Sequence, residues 1–283
     1  MHETPKLRKL PLFLPLKASI AEMRILITGA SSGIGEALAK RAAERKHDLV
    51  LVARRKEVLE RLAKDLHENH KIAVDIIGAD LTDSTEMNEV IARVEVGDID
   101  VLINNAGFGS AGPFVELDID NELNEIDLNI KALVQLSHAA ASKMVKKGFG
   151  TIVNISSVAS YQPMTGNAVY GASKAFVTSF SHALREELSE SGVNVSVVCP
   201  GMTETSFFER SRWSGATKNK SYPSMLWQSS EEVAITTFKG IDHQRGVIIP
   251  GFANKIFAAI TSSLPGSVTR KFTAFVAKGR RLR

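Results

Sequence analysis

Short apolar runs alternate along the chain with amphipathic segments of helical length. The runs are rich in Val, Ile and Leu and lack polar alternation, as expected for parallel strands that are buried on both faces. They cover Arg24–Thr28, Asp48–Ala53, Ala73–Ala79, Val101–Ile103, Thr151–Ile155, Val193–Val198 and Val247–Ile249. A long helix is predicted over residues 170–191, ending near Gly192. The pattern predicts an α/β fold with a single doubly wound parallel sheet of about seven strands and helices on both faces.

The domain organisation follows from the extent of this pattern. No repeat, low-complexity tract or linker interrupts residues 23–250, which we expect to form one domain. Residues 1–22 are interpreted as a flexible arm, or as the product of an upstream start codon with Met23 as the natural beginning. Two prolines interrupt the apolar stretch of residues 10–16, which argues against a secretory signal. Residues 251–283 form an apolar and basic extension.

Charge and composition exclude several classes of protein. The 283 residues carry a net charge of +4, but the positive charge lies in the two tails. Residues 23–265 carry 25 basic and 29 acidic side chains, a net charge of −4, so nucleic-acid binding is not expected. The single cysteine, Cys199, suits a reducing, cytoplasmic location. No apolar run reaches the length of a membrane-spanning helix, and the seven histidines show no metal-ligand spacing, so no metal is expected.

A glycine-rich turn joins the first strand to the first helix, in the segment Thr28–Gly35. Glycine permits a tight turn and leaves room for a diphosphate, and the amino end of the following helix favours phosphate. The position of the turn between a buried strand and a helix strengthens its interpretation as a dinucleotide site over that of a glycine-rich turn without a ligand. The candidate cofactor-binding residues here are Gly29, Ser31, Ser32, Gly33, Ile34 and Gly35.

Two arginines, Arg54 and Arg55, end the second strand, where NAD-binding sheets usually place an acidic residue. Guanidinium groups bind a 2′-phosphate through paired N–H donors, whereas a carboxylate repels it. The sequence therefore favours NADP(H) over NAD(H). The alternative is that both arginines are solvated residues opening the next helix.

Further motifs follow the later strands, in segments Asp80–Asp83, Asn104–Gly107 and Pro200–Thr205, together with Asn129, Ser157 and the pair Tyr170-x-x-x-Lys174. With the glycine turn, these motifs resemble those of the short-chain dehydrogenase/reductase family, which has a Rossmann-like fold. The likeness runs from Met23 to about Thr205.

The resemblance implies roles for these residues. Asp80 and the Leu81 backbone would contact adenine, and Lys174 would hold the nicotinamide ribose. Asn129 would hold a water and extend a proton relay. The cofactor cleft would be lined by Asn105, Ala106, Gly107, Pro200, Gly201, Thr203 and Thr205. A homodimer or homotetramer is also expected on this ground.

The catalytic chemistry can be argued from Tyr170, Lys174 and Ser157 themselves. Reduction of a carbonyl needs a hydride and a proton, and a phenol can donate that proton. Lys174 lies four residues after Tyr170, on the same helical face, and we expect its ammonium to lower the pKa of the phenol. The Ser157 hydroxyl would bond the substrate oxygen. Ser156 is the neighbouring candidate, on the opposite face of its strand.

The region after Thr205 carries no recognisable motif. Residues 206–228 are rich in aromatic side chains and are predicted to form a lid over an apolar substrate, the alternative being a packed surface excursion. In the extension, Phe252, Ile256, Phe257 and Ile260 fall at helical spacing, and basic residues follow. This segment could contact an anionic membrane surface peripherally, or pack on the substrate pocket or a partner subunit.

These features favour an NADP(H)-dependent oxidoreductase that acts on a hydrophobic ketone, aldehyde or secondary alcohol. A regulatory or scaffold protein that binds the dinucleotide without turnover is the main alternative, although such proteins usually lose the catalytic Tyr or Lys. An isomerase, epimerase or dehydratase on the same fold is a third possibility that nothing in the sequence favours.

Overall fold

The structure, a computed structural model, describes residues 22–204, 227–271 and 273. The strands are β1 (Arg24–Thr28), β2 (Asp48–Ala53), β3 (Val74–Gly78), β4 (Val101–Asn104), β5 (Gly150–Ile155), β6 (Val193–Val198), β7 (Met202–Thr203), β8 (Trp227–Gln228) and β9 (Val247–Ile248). The α-helices are α1 (Gly33–Glu44), α2 (Lys56–His70), α3 (Ser84–Glu95), α4 (Ile119–Ile126), α5 (Leu133–Lys147), α6 (Ala168–Glu187), α7 (Ser230–Asp242) and α8 (Phe252–Ser263). A π-helix, Asp127–Ala132, joins α4 to α5.

Seven strands form one parallel sheet in the order β3-β2-β1-β4-β5-β6-β9. The apolar core lies in layers on both faces of this sheet: α1, α2 and α7 contribute to one layer, and α3 and α5 to the other. The predicted doubly wound parallel sheet is thereby confirmed. The strand order reverses between β1 and β4, so the crevice at their carboxyl ends is the place where this architecture binds ligands.

Two details of the fold differ from the sequence prediction. β3 and β9 are not buried on both faces: they form the two edges of the sheet, and Asp75 and Gly78 in β3 and Val247 in β9 are exposed. An edge strand has one neighbour, so the surrounding layers cover it incompletely. The long helix α6 begins two residues before Tyr170 and ends at Glu187, and the chain reaches Gly192, which has a positive φ of 79°, through turns.

A second, two-stranded sheet ties the segment after β6 to the residues before α7. Met202 in β7 pairs with Trp227 in β8, and Thr203 pairs with Gln228. Thr203 and Gln228 are both buried. No helix within residues 22–204 and 227–271 is long and apolar enough to cross a membrane.

Candidate active site

The glycine turn is shaped by backbone conformations that other residues rarely adopt. Gly29 and Gly33 have φ angles of +67° and +59°, in the left-handed region that favours glycine. A Cβ on Gly29 would lie 2.9 Å from the Ala106 Cα, and one on Gly35 would collide with the Gly29 carbonyl. The turn therefore sits directly against the end of β4, with the amino end of α1 immediately after it.

The two arginines after β2 have different partners. Arg55 Nη2 donates to both the carbonyl and the hydroxyl oxygen of Ser31, each at 3.0 Å, so this guanidinium lies beside the glycine turn. Arg54 is exposed, and its Nη1 is 3.5 Å from Asp80 Oδ2. Burial opposes the charge on Asp80, but hydrogen bonds from Thr82 and the nearby Arg54 outweigh it and lower the pKa of this carboxyl. Leu81 beside it is buried.

The segment after β4 locks the carboxyl ends of the strands together. Asn105 Nδ2 donates to the carbonyl oxygens of Thr28 and Gly29, at 2.9 and 3.3 Å. The Thr28 hydroxyl in turn accepts from the backbone N–H groups of Asn105 and Ala106. Asn104 donates to Asn154 on β5, at 2.9 Å. These bonds hold the glycine turn and the Asn105–Ala106 backbone in a fixed relation.

Asn129 is buried inside the π-helix that joins α4 to α5. Its side-chain oxygen accepts from the Phe108 N–H at 3.1 Å, and its amide nitrogen donates to the Phe108 carbonyl at 2.8 Å and to Ser173 Oγ at 3.1 Å. A π-helix widens one turn of an α-helix and is frequent at functional sites. Here it brings Asn129 between the segment after β4 and helix α6.

Helix α6 and the end of β5 bring together Tyr170, Lys174 and Ser157. Tyr170 is hydrogen-bonded to Ser157, whose Oγ also accepts from the Ala159 N–H at 3.1 Å. Lys174 Nζ lies 5.8 Å from the centre of the Tyr170 ring and donates to the Ile155 carbonyl at 3.1 Å.

Ser156, the neighbouring candidate, is buried on the other side of the strand. Its hydroxyl contacts the Lys174 carbonyl and the Thr178 hydroxyl, each at 2.8 Å. The structure therefore brings Ser157, and not Ser156, to Tyr170.

Burial controls the protonation of the site. It raises the pKa of Tyr170 to about 12, against an opposing hydrogen bond from Ser157, and the Glu125 carboxylate adds to the rise. It also lowers the pKa of the Lys174 ammonium to about 8, against the opposing charge of Glu125. The pKa of Tyr170 is therefore raised in the protein alone, and not lowered as expected, because burial outweighs the bond from Ser157.

A buried carboxylate beside these groups was missed in the sequence. Glu125 on α4 has no measurable exposure, and its Oε2 accepts from the Ser110 N–H at 2.9 Å. Burial raises the pKa of Glu125 to about 7, against the hydrogen bonding of Ser110. A signal was present: Glu122, Glu125 and Asn129 recur at the spacing of one helical face, on which the next positions are apolar.

The segment after β6 contributes a turn close to Ser157. The Val158 N–H donates to the Pro200 carbonyl at 3.0 Å, and Thr203 Oγ1 donates to the Gly201 carbonyl at 3.2 Å. Gly201 packs so closely on Asn254 of α8 that a side chain there would collide with it. The described part of the extension thus packs next to this turn.

Thr205 and most of the predicted lid lie outside the described residues. The last two residues assigned to the lid, Trp227 and Gln228, form strand β8. Gln228 Nε2 donates to the Pro250 carbonyl at 2.6 Å. Among the described residues no group of His, Cys, Asp and Glu side chains could hold a metal ion.

Comparison with known proteins identifies the family. The family model described as short chain dehydrogenase matches residues 23–214. Sulfoacetaldehyde reductase 2 of Chromohalobacter salexigens is 40% identical over 187 residues, which are 65% of this chain and 73% of that protein. Serine 3-dehydrogenase of Agrobacterium fabrum is 39% identical over 187 residues, with the same coverage of 65% and 73%.

Solved structures agree with this assignment. A short-chain dehydrogenase from Sphingobium yanoikuyae in complex with NADPH superposes with a TM-score of 0.76 at 37% identity, over 86% of this chain and 96% of that one. The bulky-bulky ketone specific alcohol dehydrogenase from Comamonas testosteroni gives a TM-score of 0.72 at 34% identity, over 86% and 95%. The chain belongs to the short-chain dehydrogenase family of nicotinamide-dependent oxidoreductases.

Proposed function

We propose that this protein is an NADP(H)-dependent oxidoreductase that acts on a hydrophobic ketone or aldehyde, or on the corresponding secondary alcohol, with Tyr170 as its general acid and base. The observation that carries the proposal is the hydrogen bond between Tyr170 and Ser157, with Lys174 one helical turn away. When bound, the nicotinamide supplies or accepts the hydride. The residues of the chain then have to hold the substrate oxygen and move one proton.

Tyr170 and Ser157 divide that work. The Ser157 hydroxyl holds the substrate oxygen, and the Tyr170 phenol donates the proton as negative charge develops there. With a pKa of about 12, the phenol is protonated at neutral pH and can act as the acid in carbonyl reduction. The Lys174 ammonium holds the ribose hydroxyls, and Asn129 places a water that connects Lys174 to solvent.

The cradle fits a dinucleotide. Gly29 and Gly33 adopt positive φ angles at the amino end of α1, which leaves backbone N–H groups for a diphosphate. We assign the diphosphate to the turn formed by Gly29, Ser31, Ser32, Gly33, Ile34 and Gly35. We assign the adenine to Asp80 and Leu81, and the nicotinamide side to Asn105, Ala106, Gly107, Pro200, Gly201, Thr203 and Thr205.

Preference for NADP(H) over NAD(H) is proposed from the position of Arg55 on Ser31 and of Arg54 beside Asp80. The NADPH bound to the Sphingobium yanoikuyae relative supports it. Arg54→Ala and Arg55→Ala should each raise the NADPH dissociation constant roughly tenfold and leave the NADH constant nearly unchanged. Fluorescence titration measures both constants, with Arg61→Ala on α2 as the control. Equal losses for the two cofactors would defeat the assignment.

The substrate class is tested with a panel of carbonyl compounds. Bulky aromatic, steroid-like and acyl-chain ketones and aldehydes are compared with small polar ones by the loss of NADPH absorbance. The bulky-bulky ketone specificity of the Comamonas testosteroni relative supports a bulky substrate. Faster turnover of the small polar compounds would contradict this part of the proposal. NADPH binding without turnover of any compound would favour the regulatory or scaffold alternative.

Assembly and location are further parts of the proposal. Phe252, Ile256 and Ile260 on α8 are exposed, with 78%, 46% and 53% of their surface accessible. We propose that the protein forms a homodimer or homotetramer in the cytoplasm. Apolar and basic residues of the extension that stay exposed in this assembly would be available for peripheral contact with a membrane. Light scattering measures the oligomeric state, and flotation with anionic and neutral vesicles measures binding to a membrane.

A further inference from the structure

The backbone segment Gly107–Ser110 lies directly against the proposed catalytic pair. A Cβ on Gly109 would come within 2.6 Å of the Tyr170 ring, and one on Gly107 would lie 3.4 Å from Lys174 Nζ. Any movement of this segment therefore changes what Tyr170 and Lys174 touch. What holds the segment is consequently part of the geometry of the site.

Three side chains hold the polar backbone groups of this segment. Asn129 binds the N–H and the carbonyl of Phe108, and Asn167, which precedes α6, donates to the Ser110 carbonyl at 2.6 Å. Glu125 accepts from the Ser110 N–H at 2.9 Å. Glu125 lies four residues before Asn129, so both reach the segment from one side. Of the three, only Glu125 can carry a charge.

That charge faces the catalytic pair from a buried position. Glu125 Oε1 has no hydrogen-bond partner among the described residues, and the carboxylate interacts electrostatically with both Tyr170 and Lys174. Among the described residues, the other ionisable group that faces it is Glu122, one turn earlier on α4 and also buried. The segment Gly107–Ser110 contributes no ionisable side chain. A buried carboxylate with an unpaired oxygen does not stabilise a fold, so its presence here calls for another role.

We propose that Glu125 is a positioning residue, which holds the Gly107–Ser110 segment against Tyr170 and Lys174 and provides the negative charge that keeps Lys174 an ammonium and Tyr170 a neutral phenol. The proposal rests on the function assigned above to Tyr170 and Lys174. It separates into a geometric part, the bond to Ser110, and an electrostatic part, the charge. Two substitutions divide these parts.

Glu125→Gln removes the charge and keeps an oxygen that can accept from Ser110, whereas Glu125→Leu removes both. Asp120→Asn, an exposed position on the same helix, is the control for the loss of one charge on α4. The ionisation of Tyr170 is followed by NMR of protein labelled with ¹³Cζ-tyrosine, with and without saturating NADP⁺. The resonance is assigned by its loss in Tyr170→Phe.

Glu125→Gln should move the midpoint of Tyr170 ionisation down by about one pH unit, because a like charge no longer opposes the phenolate. Asp120→Asn should titrate as the parent does. An unchanged midpoint in Glu125→Gln would overturn the electrostatic part. This readout needs no turnover, so it remains decisive even if the parent reduces no carbonyl compound, a result that would defeat the proposed function instead.

The geometric part is read from kinetics. Glu125→Leu should lower kcat roughly tenfold, since a buried N–H loses its acceptor beside the reacting groups, and leave KM for NADPH unchanged. Glu125→Gln, which keeps an acceptor for the Ser110 N–H, should lower kcat less than Glu125→Leu does. If Glu125→Leu keeps the parent kcat, or if Glu125→Gln loses as much as Glu125→Leu, the bond to Ser110 has no positioning role. Circular dichroism confirms folding, and Glu125→Ala, which also removes the acceptor for the Ser110 N–H, replaces Glu125→Leu if that variant does not fold.

Discussion

Charged groups have opposite environments on the two sides of the sheet at which the strands begin and end, which we call the amino edge and the carboxyl edge. At the amino ends of the strands, charges are partly exposed and paired: Arg24 Nη1 lies 2.5 Å from Asp98 Oδ2, and Arg93 Nη1 lies 2.6 Å from Asp98 Oδ1. At the carboxyl ends, burial shifts the pKa values of Tyr170, Lys174 and Glu125 in the direction that favours the neutral form of each group.

The charged groups at the two edges differ in how their ionisation affects the stability of the folded state. Bonds from Arg93 and Arg24 lower the pKa of Asp98 against the opposing effect of burial, so ionisation of Asp98 favours the folded state. Ionisation of Glu125 disfavours the folded state, because its pKa is raised. We infer that the amino edge contributes to the free energy of folding through its charges, whereas the carboxyl edge holds its groups ready for proton transfer at a cost in stability.

The largest effect is expected from Tyr170→Phe. The ring still packs on Gly109, but the acid is gone, so kcat should fall by about 10²–10⁴ while the NADPH dissociation constant changes little. Steady-state kinetics and fluorescence titration measure the two. Tyr161→Phe is the matched control, since its hydroxyl donates to the buried Cys199 sulfur at 3.7 Å. If the Tyr170→Phe enzyme has the kcat of the parent, Tyr170 is not the general acid.

An intermediate effect is expected on the stability of Glu125→Gln as a function of pH. The folded-state pKa of about 7 lies above the ordinary value of 4.5, so the parent loses stability relative to the variant as pH rises between these values. The relative loss should be on the order of 3 kcal/mol and stay constant above pH of about 7. Urea unfolding at several pH values measures it. A constant difference between parent and variant across this range would contradict the contrast between the edges.

The smallest effect is expected at the amino edge. Asp98→Asn removes a carboxylate bonded to two arginines, and we expect a loss of about 1 kcal/mol at neutral pH, since the pair is a third exposed. Because the pKa of Asp98 is lowered, its contribution is present above the ordinary Asp pKa and is lost as pH falls through the lowered value. The deficit should therefore shrink in acid. Asp120→Asn, at an exposed position on α4, is the control, and kcat should not change in either variant.

Much of the fold could be predicted because it depends on local patterns. Strands buried on both faces give continuous apolar runs, and the order of strand and helix leaves few topologies. The exceptions were β3 and β9, which form the two edges of the sheet and are partly exposed. Position within a sheet depends on which strands pair, which a single run of residues does not contain.

The candidate site divides in the same way. Helical spacing placed Lys174 beside Tyr170, and strand alternation separated Ser157 from Ser156, since both patterns are local. The direction of the Tyr170 pKa shift was missed because it depends on how much protein surrounds the phenol. Glu125 was missed because a glutamate on a helix usually faces water, and its burial depends on the distant segment ending at Ser110. The predicted lid, residues 206–228, stays a prediction.

The π-helix Asp127–Ala132 has a consequence for how this site tolerates length changes. A wide turn accommodates one residue more than a regular one, so the extra residue is taken up without rotating the turns on either side. Deleting a single residue there would restore regular winding and leave Glu122 and Glu125 facing the interior, but it would remove the wide turn that carries Asn129 to Phe108. A deletion in the regular turns of α4 would instead rotate the residues before it by about 100° about the helix axis. The two neighbouring segments therefore differ in which contacts a change of length would break.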